Sequence, residues 1–309
     1  MRIFLHKLCK DNTAMKRQTI GILNGAIAAA SYGTNPLFAL PMYAGGIGVN
    51  SVLFYRYAIA VAIYFLWLKF VKKTSLKITL KEGVLLLIFG LFFSLSSLTL
   101  FDAFNYIEAG IACTILFIYP LLVAIIMTLF FHEKLTKTVI FSIILTFSGI
   151  FLLYNGKPGT TLNLHGVIMV LLSALLYALY IVGVKNVKAL RHIKPDKLSF
   201  YVMLFGLLVY IVNLKFCTQL QIIHTPFLWL CTFGLALFPT IISLETITVA
   251  IKLIGSTTTA ILGALEPLTA IFFGVIFFHE QLTLKICIGV ALILSGVILI
   301  ITRKQMKKS

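Results

Sequence analysis

Apolar runs of about twenty residues, parted by short polar stretches, fill this chain from end to end. A helix needs roughly 20 mostly apolar residues to cross the hydrocarbon of a bilayer. On that template ten spans are predicted: 19–41, 49–69, 82–101, 106–130, 136–154, 164–186, 196–214, 226–249, 255–278 and 283–302. The pattern also repeats. Phe131-His132-Glu133-Lys134-Leu135-Thr136 has a twin in Phe278-His279-Glu280-Gln281-Leu282-Thr283, 147 positions later. In the same register Tyr119-Pro120 falls on Glu266-Pro267, Ile107 on Ile254, Ala103 on Ala250 and Ser148-Gly149 on Ser295-Gly296. The chain therefore reads as an all-α integral membrane fold of ten transmembrane helices in two related halves. The halves run over 19–155 and 164–302, flanked by a basic segment, 1–18, and a basic tail, 303–309.

Composition supports the same class. Of 309 residues, 60% are hydrophobic and 11% charged, and the mean hydropathy is +1.05. A soluble domain carries about 45–50% apolar and about 25% charged residues, and so few charges cannot cover a water-facing surface. The net charge of +17 does not point to nucleic acid, because the basic residues occupy the gaps between spans and form no domain of their own. It sets orientation instead. With the N-terminus inside, the inner segments hold 22 of the 26 Lys and Arg, and the outer ones hold Lys157, Lys215 and Lys285. Arg56 lies within a span. Both termini are predicted to be cytoplasmic. Five spans is an odd number, so the second half enters the membrane inverted, an architecture that places substrate sites between the repeats. The apolar part of residues 1–17 is too short for a signal peptide, and Met15 is an alternative start. Five cysteines without CxxC spacing read as small apolar filler, and six histidines lack metal-ligand spacing, so neither metal nor cofactor is expected.

Inside a bilayer the informative residues are the costly ones. A charge at a helix centre costs about 2.5–3.5 kcal/mol on insertion scales. Glu266 lies near the middle of span nine, before Pro267, on a stripe of small or polar groups with Thr259, Gly263, Ala270 and Gly274. It is the first candidate for binding or coupling, with a structural hydrogen bond as the plainer reading. Arg56, in span two between Tyr55 and Tyr57, either faces the interior or snorkels to the outer surface. Span one carries Tyr32, Asn35 and Pro36. At an offset of 145, Tyr32 matches Tyr177 and Asn35 matches Tyr180 in span six. These groups, with Tyr119 and Ser97, are candidates to line a cavity, against the commoner fate of packed core. The span-three hydroxyls Ser94, Ser96, Ser97 and Thr99 are weak signals, since such groups bond back to their own helix. Pro36, Pro120, Pro239 and Pro267 are expected kinks. Glu245 follows Pro239 by six residues and suits a surface role as well as a cavity one. Glu133 and Glu280 close spans four and nine and are read as structural turn residues.

Two inverted five-span copies, each with a Pro-containing fourth span ending in Glu-x-Leu-Thr, resemble the drug/metabolite transporter superfamily, in particular its EamA-type ten-span branch. The resemblance covers 19–302 and rests on several stretches. These are Ser31-Tyr32-Gly33-Thr34-Asn35-Pro36, Arg56, Tyr119-Pro120, Ile254-Gly255-Ser256-Thr257, Glu266-Pro267 and the twin turns. It implies a secondary carrier of the bacterial inner membrane, a monomer or homodimer, exporting amino acids or other small metabolites without ATP. Alternating access would use the prolines as hinges and Glu266 as a proton or substrate-amine site. A nucleotide-sugar or phosphorylated-metabolite antiporter is the cousin reading; it wants more fixed cations than Arg56. A membrane-embedded transferase lacks a catalytic cluster, and a channel lacks a filter loop or charged ring.

Overall fold

Where a proline interrupts an apolar run, the helix of this protein breaks or changes pitch, and the breaks collect at the centre of the bundle. The computed structural model describes residues 2–107, 109–133, 136–153 and 163–266, together with separate positions between 268 and 299. Pro267, the Glu280 turn, most of the predicted tenth span and the basic tail lie outside the described residues. Among the described residues all regular structure is helical.

The first predicted span is two helices, α1 (Arg2–Tyr32) and α2 (Asn35–Ala44). Pro36 has no N–H to return to the Tyr32 carbonyl, so the helix opens at Gly33–Thr34. Thr34 Oγ1 covers the break by donating to Ser31 O at 2.7 Å. Span two is α3 (Val49–Leu66), whose last turn widens into a π-turn at Trp67–Val71. Span three is α4 (Leu80–Ala103). It starts at a capping box, in which Thr79 N donates to Glu82 Oε2 at 2.8 Å and Glu82 N donates to Thr79 Oγ1 at 3.3 Å. Span four splits like span one, into α5 (Ala109–Leu116) and α6 (Tyr119–Phe131), with Pro120 in the first turn of α6. Span five is α7 (Lys137–Leu153).

The second half repeats the plan. Span six is α8 (Leu164–Asn186), and a short α9 (Lys188–Arg191) leads to α10 (Pro195–Asn213), span seven. Span eight joins α11 (Pro226–Ala236) to α12 (Ser243–Ile254) through a π-turn at Leu237–Ile242 that contains Pro239. Span nine begins as α13 (Ser256–Leu262) and breaks at Gly263–Ala264, three residues before Pro267. Five of these helices are long and apolar enough to cross a membrane unbroken: Val49–Val71, Leu80–Ala103, Leu164–Asn186, Pro195–Asn213 and Pro226–Ile254. Spans one, four and nine are not continuous helices, because each carries a proline and a break just before it.

The halves are interleaved. α1 packs along α12, and α4 packs along its repeat mate's partner, α8. α10 lies against α3 and α4, while α6 meets α13 and α8. Each of these contacts crosses from one half to the other. The hydrogen bonds obey the same two-fold. Ser96 Oγ donates to Ser173 O at 3.0 Å, and Ser243 Oγ donates to Ala28 O at 3.0 Å. Ser96 and Ser243 are 147 apart, Ala28 and Ser173 are 145 apart, so one bond is the copy of the other. Ser96 therefore bonds across helices and not back to its own, whereas Thr99 does bond back, to Leu95 O at 2.9 Å. Small residues make the close approach possible. A Cβ at Gly206 would collide with Ser94 Oγ and the Tyr57 ring.

Two side chains at this crossing differ in predicted cost. Gly206→Val overpacks α10 against α4 and should lower stability by about 1–3 kcal/mol. Ser243→Ala removes a single interhelical bond and should cost about 0.6 kcal/mol. Thermal melting of the purified protein checks the order.

A candidate cavity on the pseudo-two-fold axis

Two residues related by a pseudo-two-fold can touch only where the axis passes between them. Two such pairs touch here. Tyr119, the first residue of α6, donates from its hydroxyl to Glu266 Oε1 at 3.5 Å, the far end of hydrogen-bond range. The two positions are equivalent in the repeat. Tyr32, the last residue of α1, stacks on its own equivalent, Tyr177 of α8, with ring centroids 6.1 Å apart and planes 11° from parallel. Helix breaks supply three of these four side chains, so the same prolines that interrupt the spans aim Tyr32, Tyr119 and Glu266 at the axis.

An aromatic cluster surrounds the axis. Tyr177 meets Tyr119 edge-on at 4.8 Å and stacks on Tyr180 at 6.4 Å, and Phe93 of α4 packs on Tyr180 at 5.2 Å. All four tyrosines are buried. Bare Cα atoms make room for the contacts. A Cβ at Gly263 would collide with the Tyr119 hydroxyl, and one at Gly33 would press on the Glu266 carbonyl. Next to the cluster is a cavity of about 30 Å³, lined by Tyr32, Gly33, Asn35, Pro36, Cys113 and Glu266 among others. That is room for one or two water-sized groups. Asn35 is 3% exposed, and neither its Nδ2 nor its Oδ1 has a protein partner. A buried amide costs free energy until something bonds to it. The cavity therefore presents a carboxylate, an unengaged amide and tyrosine rings, a donor set suited to a small polar or cationic head. Among the described residues no group of His, Cys, Asp or Glu is arranged to hold a metal ion.

The remaining predicted residues fall elsewhere. Arg56 is fully buried and does not snorkel. Its Nε donates to Thr240 Oγ1 at 2.5 Å and its Nη2 to Pro239 O at 2.9 Å, while its guanidinium lies 5.4 Å over the Phe101 ring. The reason is local chemistry at Pro239. The missing proline N–H leaves Leu235 O without its helical partner, and Thr240 Oγ1 donates to it at 2.7 Å. Arg56 then holds the turn from α3. Its third nitrogen, Nη1, is buried without a partner. Ser97 pairs with Tyr57 at 3.2 Å, away from the cavity. Glu245 accepts from Tyr64 at 2.5 Å, toward the end that carries the Lys72–Asp196 ion pair. Glu133 accepts from Thr257 Oγ1 at 3.0 Å and so ties the turn after α6 to α13, with its predicted twin Glu280 outside the described residues. Cys113, read from sequence as filler, lines the cavity; only its position six residues before Tyr119 could have marked it.

The Pro239 turn yields a prediction. Thr240→Val keeps the shape but leaves Leu235 O and Arg56 Nε both unpaired. The loss should be about 2–4 kcal/mol, one buried carbonyl plus one charged donor. A change in melting temperature no larger than that of a lipid-facing substitution such as Leu230→Ala contradicts the arrangement.

Comparison with known proteins gives the same repeat. The model of the EamA-like transporter family matches residues 19–155 and 164–302. An uncharacterized transporter, YxxF, of Bacillus subtilis (strain 168) is 24% identical over 260 residues, covering 79% of this chain and 78% of that protein. An uncharacterized transporter of Archaeoglobus fulgidus is 28% identical over 195 residues, covering 62% of this chain and 67% of that one. A solved crystal structure superposes with a TM-score of 0.76 at 15% identity, over 90% of this chain and 97% of the other, and shows the fold alone. With both of its repeats matched and with helices apolar enough to cross a membrane, the chain belongs to the EamA-like transporter family and is a multi-pass membrane protein.

Proposed function

We propose that the protein is a secondary active carrier that exports an amino acid or another small metabolite through the axial cavity. The observation that carries this is the pairing of repeat equivalents Tyr119 with Glu266 and Tyr32 with Tyr177 around a small polar cavity at three helix breaks. Irregular backbone inside a membrane is tolerated only where it is buried in protein or lines a cavity. Such breaks are also where inverted-repeat carriers hold substrate and coupling ion. In this reading the chain has ten spans in repeats 19–155 and 164–302, both termini cytoplasmic, in a bacterial inner membrane, working as a monomer or homodimer. Tyr32, Asn35, Tyr119, Tyr177, Tyr180 and Glu266 form the binding region, and Glu266 also takes up the coupling proton. The segments at Pro36, Pro120, Pro239 and Pro267 are the hinges. Because the halves interleave, the bodies that move against each other combine helices of both.

Arg56 favours this reading over exchange of phosphorylated metabolites. Two of its nitrogens are spent on the Pro239 turn, and it lies outside the cavity.

A thermal-shift screen of the purified protein against amino acids, nucleosides, polyamines and organic cations tests the site. A ligand at one hundred times its Kd should add about 2.7 kcal/mol to the folded state. The expected result is a hit that Glu266→Gln and Asn35→Leu both abolish. A hit that both variants keep removes these residues from the binding site.

A further inference from the structure

A ladder of hydroxyl groups leaves the aromatic cluster and runs along α12 to a second acid. The Tyr180 hydroxyl shares a hydrogen bond with Thr248 Oγ1 at 3.2 Å. From α10, Ser199 Oγ donates to Thr248 Oγ1 at 3.2 Å, and the same hydroxyl bonds the Glu245 carboxylate. From α3, the Tyr64 hydroxyl donates to Glu245 Oε2 at 2.5 Å. Tyr180, Thr248 and Ser199 are fully buried. Beyond Glu245 stand Lys72 and Asp196, paired at 3.0 Å, with the Lys72 side chain 39% exposed and so in reach of solvent. At the other end, Tyr177 stacks on Tyr180 and meets Tyr119, which donates to Glu266.

Packing alone does not account for this line. Four polar side chains from three helices bond in series, in a bundle whose other hydroxyls bond backbone carbonyls singly. The groups that face Glu245 are also suited to a proton that comes and goes. They are Tyr64 from α3, Lys72 from the segment that follows α3, and Asp196 and Ser199 from α10. Lys252, two turns along α12, feels Glu245 and donates to Leu190 O and Ile193 O, while α8 contributes Tyr180 through Thr248. None of the groups acting on Glu245 comes from α1 or α13. One cation and one anion at nearly equal standing leave the acid free to hold either charge state. Chains of this kind, an acid and hydroxyls inside a membrane bundle, are the material of proton relays.

We propose that Tyr180, Thr248, Ser199 and Glu245 form a proton path between the axial cavity and the basic end of the molecule, with Glu245 exchanging protons with the cytoplasm. The proposal rests on the carrier reading above and extends it from Glu266 to a second acid. In the inward step the O–H bond of protonated Glu245 breaks and one forms at Ser199. Ser199 gives its own proton to Thr248, Thr248 to Tyr180, and Tyr180 to the Tyr177–Tyr119–Glu266 group, where the Glu266 carboxylate receives it. Each hydroxyl gains one proton and loses one. The net change is a protonated Glu266 and an ionised Glu245, which solvent beyond Lys72 and Asp196 reprotonates. Outward movement reverses every step.

Infrared spectroscopy of the protein in liposomes, without substrate, tests this. After transfer into deuterated buffer, the protonated-carboxyl band that Glu266→Gln lacks reports exchange at Glu266. Glu245→Gln and, as a smaller change, Ser199→Ala should each slow that exchange about 10²-fold, the low end of what a positioned proton donor contributes. Glu245→Asp should restore most of the rate, which a purely structural role for Glu245 does not explain. Exchange at the wild-type rate in both Glu245→Gln and Ser199→Ala overturns the path, as does a wild-type protein with no protonated Glu266 band at any pH where it stays folded. Neither result bears on ligand binding, and loss of the carrier reading in the thermal screen leaves the exchange measurement standing.

Discussion

In hydrocarbon, a backbone N–H or C=O without a partner costs several kcal/mol, and this constraint decides where the bundle can break. It breaks or widens at Gly33–Thr34, Phe117–Ile118, Leu237–Ile242 and Gly263–Ala264. At each place other groups take over the work of the missing helical bonds. Thr34 serves Ser31 O, Thr240 serves Leu235 O, Arg56 serves Pro239 O, and Glu266 N returns to Gly263 O at 2.8 Å. Arg56 is the extreme case, a buried cation whose hydrogen bonds are spent holding one turn of another helix in shape. Breaks that are satisfied this way face the interior, and an interior with breaks on both sides of a pseudo-two-fold contains a cavity.

The repeat then acts twice. Its symmetry brings equivalent residues together on the axis. Its divergence decides what chemistry they offer. Tyr119 and Glu266 are equivalents, and a phenol faces a carboxylate where strict symmetry would place like with like. Asn35 and Tyr180 are equivalents as well. One lines the cavity as an unengaged amide, and the other starts the hydroxyl ladder toward Glu245. The halves are near-copies as folds and unlike as chemistry, so a proton or solute on the axis meets a different environment in each direction.

Much of this is legible in the sequence. Helical class and repeat follow from hydropathy and from the register of Phe131–Thr136 on Phe278–Thr283. The cost of a carboxylate in an apolar run marks Glu266, and the prolines mark the kinks. What the sequence does not carry is long-range partnership. Nothing local ties Arg56 to Thr240, Glu133 to Thr257 or Tyr64 to Glu245, each more than a hundred residues distant. Breaks also fall one to three residues before the prolines, since proline is well placed in the first turn of a new helix and ends the helix behind it. For that reason ten apolar runs do not become ten continuous helices. Interleaving is invisible too, because two inverted repeats read identically whether they stand side by side or interlock.

The central claim is that the axial cavity is an aqueous way station reached in turn from either side of the membrane. Cys113 lines it and is a free thiol. With the other cysteines replaced by serine, a charged, membrane-impermeant thiol reagent can be applied to sealed vesicles of either orientation. The account predicts labelling of Cys113 from both faces, slowed by any ligand found in the thermal screen. Labelling by an apolar maleimide alone, with no reaction to the charged reagent from either face, would contradict it and make the cluster ordinary packed core.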